Sequence, residues 1–447
     1  MSEEIVHPPE ILYETSEDVL ADIPEALRLP TRRVGPGFFV ALALGNMGWL
    51  MVGGPILSLL LPAQVGVLDS AHKVELLGVI LTLGSLAGAI TPPLSGALSD
   101  RTTSRLGRRR PWMLAGALGV VGGLLLAALF PSIPVLAVAW IVLGGSGNLL
   151  LAALTFVLPD RVPEQQRSMA SAIVSLATTV GGVVSLLFVT IVLNSTGQSF
   201  TAAYAVLIVF IAVLAGGFIL FYREPQLPKE VLPPFHLGAF LKGFWVNPRA
   251  YPDFAYAWIT RFLMLLAFFT ATSFAYYYLN DVIHYTQLFP GQTAAEGVTI
   301  ISSVLTVFSV IAALLGGFFS DRFQRRKPFV IAASALMGLG LLLLGLMHTW
   351  PAVIVAIILI GIGFGVYGAV DIALITQVLP SAEARGQHLG VMVVALNLAQ
   401  FIAPAIGAVV INIFGANVVA GYSALYLIGA GLTLLGTLLV LPIKSVR

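Results

Sequence analysis

Arg261 and Asp371 fall inside long apolar stretches, where a lone charge has no water to stabilise it. Such residues pair with one another or handle ions and protons. Asp371 stands six residues before Gln377, at the end of its stretch, and Arg261 seven beyond Phe254, at the start of its own. At helical rise these depths are ~9 and ~10 Å, so the two are level and we expect an ion pair. The alternative has Arg261 snorkelling to the surface and Asp371 bonded to hydroxyls or water. Neutral polar residues in other apolar stretches add hydrogen-bonding capacity: Asn46, Trp49, Asn148, Tyr367, and Asn397 with Gln400, spaced to share a helix face. Amides both donate and accept, which suits a hydroxylated ligand; bonding between helices is their other use. Tyr276, Tyr277, Tyr278, Asn280, Asp281 and His284 crowd one stretch end. They form an aromatic belt or offer ring faces beside hydrogen-bonding groups. Glu75, with His72 and Lys73, reads as a solvated rim.

Two copies of a short charged string offer electrostatics of another kind. The first runs Gly96-Ala97-Leu98-Ser99-Asp100-Arg101-Thr102-Thr103-Ser104-Arg105-Leu106-Gly107-Arg108-Arg109-Arg110-Pro111. The second runs Gly317-Phe318-Phe319-Ser320-Asp321-Arg322-Phe323-Gln324-Arg325-Arg326-Lys327-Pro328. Their aspartates are 221 residues apart (321 − 100) in a chain of 447. Gly96 and Asp100 share a helix face, where glycine admits a close neighbour. Asp100 then sits at a helix C-terminus, against the macrodipole, and needs a cation or a helix N-terminus beside it. A second echo keeps the same register. Val157-Leu158-Pro159-Asp160, followed by Arg167, matches Val378-Leu379-Pro380-Ser381, followed by Arg385, at an offset of 221 (378 − 157).

The elements that must position these groups are apolar. The chain is 58% hydrophobic and 10% charged, against about 25% charged in soluble proteins. A bilayer core needs about 20 apolar residues per helix. Twelve segments qualify, near 36–60, 74–98, 111–130, 134–158, 168–193, 201–222, 254–279, 297–319, 328–347, 351–377, 386–411 and 418–442. With the N-terminus inside, 21 of the 23 Lys and Arg fall in cytoplasmic segments, Lys73 falls outside and Arg261 within a span. Loop charge sets orientation, so both termini are expected in the cytoplasm of a multi-pass plasma-membrane protein. The acidic stretch 1–35 lacks the basic and apolar order of a secretory signal. The proline-rich stretch 223–253 separates six spans from six. The expected division is a tail 1–35, a bundle 36–222, a linker 223–253, a second bundle 254–442 and a tail 443–447.

A duplicated pair of six-span units is a known plan for transporters, with the solute site between the halves. Gly-x-x-x-Asp-Arg followed by clustered arginines, in the second-to-third loop and again in the eighth-to-ninth, resembles the signature of the major facilitator superfamily. The longer run Asp100 to Pro111 is similar to that of the glycoside–pentoside–hexuronide cation symporters and the sucrose-carrier-like branch. The resemblance implies an all-α polytopic fold of twelve transmembrane helices in two pseudo-symmetric six-helix bundles. It also implies a cytoplasmic gate in which Asp100 meets Arg385 and Gly386, and Asp321 meets Arg167 and Ser168. Gly96, Arg101, Arg105, Gly107, Arg108 and Arg109, with Gly317, Arg322, Arg325 and Arg326, complete that gate motif. Simple topological anchoring is the other reading of the arginines. Sodium-coupled members of the sugar family carry aspartates in the first, second and fourth spans; here the first and fourth have no mid-membrane acid and the second has Glu75 at its rim. A proton-coupled or uncoupled carrier fits better.

The function expected is secondary active transport of a sugar or glycoside by alternating access, coupled to protons through Asp371 and Arg261. Its partners would be a small solute, a proton and the lipid bilayer, with no nucleic acid, no cofactor and no metal, and the protein would be a monomer. An exporter of amphipathic compounds is the alternative on the same fold. A membrane enzyme or sensor is the alternative of another class. The chain has no cysteine, which excludes disulfides and a Cys nucleophile. No phosphate-binding Gly-x-x-x-x-Gly-Lys-Ser/Thr loop is present. His284 and Asp281 have no clustered nucleophile beside them in the sequence.

Overall fold

The computed structural model of the chain describes residues 30–31, 33–227, 247–323, 325–378 and 385–443. The described residues contain no strand, and twelve helices are long and apolar enough to cross a membrane. A span in lipid must satisfy every backbone group internally, which helices do. In chain order the spans are Pro36–Leu68, Lys73–Ser99, Arg110–Leu129, Ile133–Arg161, Glu164–Ser195 and Phe200–Phe221. The second six are Pro252–Ser273, Ala294–Phe323, Lys327–Leu346, Trp350–Val378, Arg385–Ile413 and Val418–Val440. The expected tails and linker themselves fall largely on 1–29, 228–246 and 444–447, outside the described residues.

Several spans outrun their apolar cores. The fifth is 32 residues long and the eighth 30, so each carries charged turns beyond the hydrocarbon: Glu164 to Arg167 in one, Asp321 and Arg322 in the other. The first continues past Pro55 through a π-wound turn, Ile56–Leu60, into Leu61–Leu68. The sixth has a similar turn at Ile211–Gly216, and π turns of this kind mark altered register within a helix. The seventh differs from the single run 254–279 drawn from the sequence. It breaks after Ser273 and resumes as Ala275–Asp281, followed by the one-turn helix Tyr285–Leu288. The turn begins at His284, whose backbone is left-handed with φ of 52°.

Packing repeats six spans on. The second span packs on the fourth, the third on the fourth, the first on the fifth, and the first and third on the sixth. The eighth packs on the tenth, the ninth on the tenth, the seventh on the eleventh, and the seventh and ninth on the twelfth. Contacts between the halves join the second span to the eleventh, the fifth to the eighth, and the first to the broken seventh. Shifting by six exchanges the first two of these pairs, which is the signature of a pseudo-two-fold axis between two six-helix bundles. Glycine sets the closest approach at equivalent places. A Cβ at Gly144 would lie 2.2 Å from the Gly84 carbonyl oxygen, and one at Gly365, 221 residues on, 2.1 Å from that of Ser309.

Candidate functional site

The intramembrane charges meet. Arg261 on the seventh span donates through Nη1 to Oδ2 of Asp371 on the tenth. Tyr367, one helical turn from Asp371, donates its hydroxyl to Oδ1 at 3.0 Å. Asp371 is 5% exposed and Tyr367 4%, so both carboxylate oxygens are held in a site almost without water. Arg261 keeps a buried Nε with no acceptor. Beside it on the seventh span, the Trp258 indole donates to the Val391 carbonyl at 3.0 Å, tying this span to the eleventh. A carboxylate held this way can exchange its pair of donors for a proton, which is the chemistry of ion coupling.

The other polar candidates group by half. Asn46 donates to Leu42 O at 2.8 Å and Asn148 to Gly144 O at 2.9 Å, both within their own helix. Neither bonds between helices by that amide N–H, and each keeps its carbonyl oxygen as an acceptor. Trp49 presses on Gly147, where a Cβ would come 2.2 Å from the ring. The Asn148 amide instead faces Gly88 of the second span, where a Cβ would come 2.7 Å from its nitrogen. In the second half Asn397 is half-buried and Gln400 exposed on the eleventh span.

The first charged loop is a closed network. Arg109 pairs with Asp100 at 2.7 Å and with Asp160, at the end of the fourth span, at 3.0 Å. It also donates to Ser99 Oγ and stacks over Phe156 at 4.5 Å. Arg108 pairs with Asp160 at 2.8 Å and lies 3.9 Å from Asp100. Glu224, just past the sixth span, accepts the backbone N–H of Arg109 and that of Arg110, the latter at 2.8 Å. Burial pushes its carboxyl above the ordinary carboxylate range, against the pull of those two N–H groups. Arg110 caps the sixth span through Ile219 O at 2.8 Å and Leu220 O at 3.2 Å. Gly107 has φ of 96°, and a Cβ there would run into the Glu224 side chain. Gly96 packs near Phe156 and Gly317 near Ala369, each inside its own half. Of the remaining motif residues, Arg105 accepts a bond from Gln226 through its carbonyl, Arg101 is half-buried, and Arg322 and Arg325 are exposed.

The expected gate contact of Asp321 is not formed in this structure. Arg167 does not reach Asp321. It donates to Val162 O at 3.0 Å and Pro159 O at 3.1 Å, capping its own half's fourth span. Asp321 is held by Arg326 at 2.6 Å, and Arg326 also takes Ser320 Oγ at 2.9 Å. The proposed contact of Asp100 with Arg385 and Gly386 falls on side chains outside the described residues. Asp160 and Glu224 were missed as acids of this network. The signal for Asp160 is present in the sequence, in the Val-Leu-Pro-Asp echo; Glu224 has none.

The halves join on the face away from these loops. Lys73, expected at a solvated rim, pairs across the halves with Asp281 at 2.7 Å and lies 5.0 Å over the Tyr277 ring. Tyr277 donates its hydroxyl to Pro62 O at 2.9 Å, and Tyr276 sits edge-on to it. Thr190 and Thr299 share a buried hydrogen bond of 2.7 Å, and Asn194 donates to Glu296 at 2.7 Å. A Cβ at Gly78 would lie 2.5 Å from that of Ala408. Each hydrogen bond and ion pair joining two described residues of different halves lies on this face. Burial agrees. The fifth span is buried at Gly181, Ser185, Leu186, Val189, Thr190 and Leu193 near this face but only at Ala170 near the basic loops.

Comparison with known proteins follows the same outline. The model of the Major Facilitator Superfamily matches residues 38–298 and 291–446. The glucose transporter GlcP of Staphylococcus epidermidis is 22% identical over 397 residues, which cover 81% of this chain and 85% of its own. A Na(+), Li(+), K(+)/H(+) antiporter of Planococcus maritimus is 36% identical over 147 residues, 32% of this chain and 33% of the antiporter. Among solved structures, the nucleoside transporter NupG is 14% identical with a TM-score of 0.71, covering 91% of this chain and 99% of that one. At that identity it speaks for the fold alone.

Proposed function

We propose that this chain, which belongs to the major facilitator superfamily, is a secondary active carrier of a sugar or glycoside, coupled to protons at Asp371. It is a multi-pass membrane transporter and not an enzyme. The observation that carries the coupling is the buried Asp371 carboxylate with both oxygens engaged, by Arg261 and Tyr367. Protonation removes the charge that holds Arg261, and frees its guanidinium for a solute hydroxyl or for a new position of the seventh span. Deprotonation restores the pair. The charge is tolerable only while paired, so proton loss and resealing of the cluster are linked.

The sugar class is supported by the loop Asp100 to Pro111, by the relative named for glucose, and by amides and an indole on the first and fourth spans. The relative named an antiporter supports ion coupling. Loop charge supports a cytoplasmic basic face, so the joined face is the outer one and the structure is the state sealed to the outside. The functional unit is a monomer in the plasma membrane. Glucose accumulation in proteoliposomes tests the reading. An inward proton gradient should concentrate labelled glucose above its outside level, and collapse of the gradient should release it. A carrier that concentrates a lipophilic dye but no sugar would overturn the substrate class.

A further inference from the structure

The two charged loops make the same internal contacts with one difference. Arg326 holds Ser320 and Asp321 as Arg109 holds Ser99 and Asp100. Lys327 donates to Leu441 O at 3.3 Å, the counterpart of Arg110 on Leu220 O. Matching these contacts makes Arg325 the counterpart of Arg108. Arg108 is held by Asp160, but the residue 221 positions after Asp160 is Ser381, and the one 221 after Glu224 is Ser445. Each loop holds one acid of its own, Asp100 or Asp321, and the second half has serines at the two positions that give the first loop Asp160 and Glu224. Among the described residues Arg325 has no carboxylate partner, and it is exposed.

Arg325 lines a cleft of about 430 Å³ with Phe323, Pro328 and Phe329. Phe323 stacks on Phe319 at 6.2 Å, and Leu315, Phe319 and Phe323 are exposed along the eighth span leading away from the cleft. A guanidinium at the end of a bare apolar helix face matches an amphiphile: phosphate oxygens take the planar donor fork and hydrocarbon takes the aromatic face. We propose that this cleft seats the phosphate of an anionic phospholipid, with Arg325 on the phosphate and Phe319 and Phe323 against an acyl chain. Basic side chains beside an anionic leaflet gain from the surface charge in the same sense.

Native mass spectrometry of the purified full-length protein tests this with phosphatidylglycerol, phosphatidylcholine and inorganic phosphate as separate probes. Retention of phosphatidylglycerol should exceed that of phosphatidylcholine. Arg325→Gln should cut it about fivefold, the factor one basic side chain supplies at such a surface. Arg325→Lys should keep most of it, and Phe323→Ser should lower it. Equal retention in Arg325→Gln would overturn the site. So would equal retention of phosphatidylcholine, or displacement of the lipid by millimolar inorganic phosphate, which would mean a free-anion site. The proposal needs only the membrane placement of the eighth span, so its failure leaves the carrier reading standing.

Discussion

At the scale of the residue, the Asp371 carboxylate takes the Arg261 guanidinium on one oxygen and the Tyr367 hydroxyl on the other. Removing one partner of a buried pair costs about 3–5 kcal/mol, and removing both costs far less. Arg261→Met alone should therefore lower the melting temperature sharply, and Arg261→Met with Asp371→Asn should recover most of the loss, as a double-mutant thermal-shift cycle would read. Additive losses would mean that the two side chains are not coupled. Asp371→Asn should also abolish gradient-driven uptake while sparing counterflow; full accumulation in this variant would remove Asp371 from the coupling step. Glu224 carries a different pH signature. Its carboxyl is raised by burial when docked, so the docked form binds the proton more tightly than the free one. The stabilising effect of protonation is present in acid and fades as pH rises from the ordinary carboxylate value through the docked one. Glu224→Gln is neutral at every pH and keeps a carbonyl acceptor for the Arg109 and Arg110 N–H groups. Its melting temperature should fall less than that of the parent as pH rises above the ordinary carboxylate range, and an unchanged pH slope would contradict this.

At the scale of the element, Lys73 is costly where it stands. It begins the second span, where the macrodipole disfavours a cation, and the pair with Asp281 offsets this. Asp281→Asn should loosen the joined face. Because the chain has no cysteine, Thr299→Cys makes a clean reporter: buried against Thr190, it should resist an impermeant maleimide in the parent and react in the Asp281→Asn background. Equal labelling in both would mean that the ion pair holds nothing shut. Gly107→Ala tests the basic loop, since alanine at positive φ costs about 1–2 kcal/mol and its Cβ would strike Glu224; a variant as stable as the parent would contradict the docked arrangement. Elements of this kind were unequally legible. The spans could be read because each is an unbroken apolar run bounded by charge, and the pairing of Arg261 with Asp371 because hydrocarbon leaves few other partners. The break at Phe274 could not, since no glycine or proline lies within 268–280. Phe274 is set by packing: its ring fills the space a side chain at Gly407 would need. The roles of Asp160, Glu224 and Lys73 depend on contacts 51 to 208 residues away in the chain, which local pattern does not reveal. The contact of Asp321 with Arg167 is not made in this structure, where the contacts between described residues of the two halves lie on the other face.

At the scale of the whole molecule, two like-folded bundles meet through polar contacts that, among the described residues, lie on one face. A rigid pair of bundles joined at one end can rock, closing the other end as the first opens. Spin labels at Val67 and Leu288, exposed on the joined face of opposite halves, and at Met169 and Phe319, exposed toward the basic face of opposite halves, report the two ends separately. The most direct test is the pair of distances measured by electron–electron resonance in liposomes, in the parent and in the Asp281→Asn background. Rocking predicts that breaking the ion pair lengthens the Val67–Leu288 distance and shortens the Met169–Phe319 distance together. A longer first distance with an unchanged second would mean local fraying of the joined face, and would contradict the account.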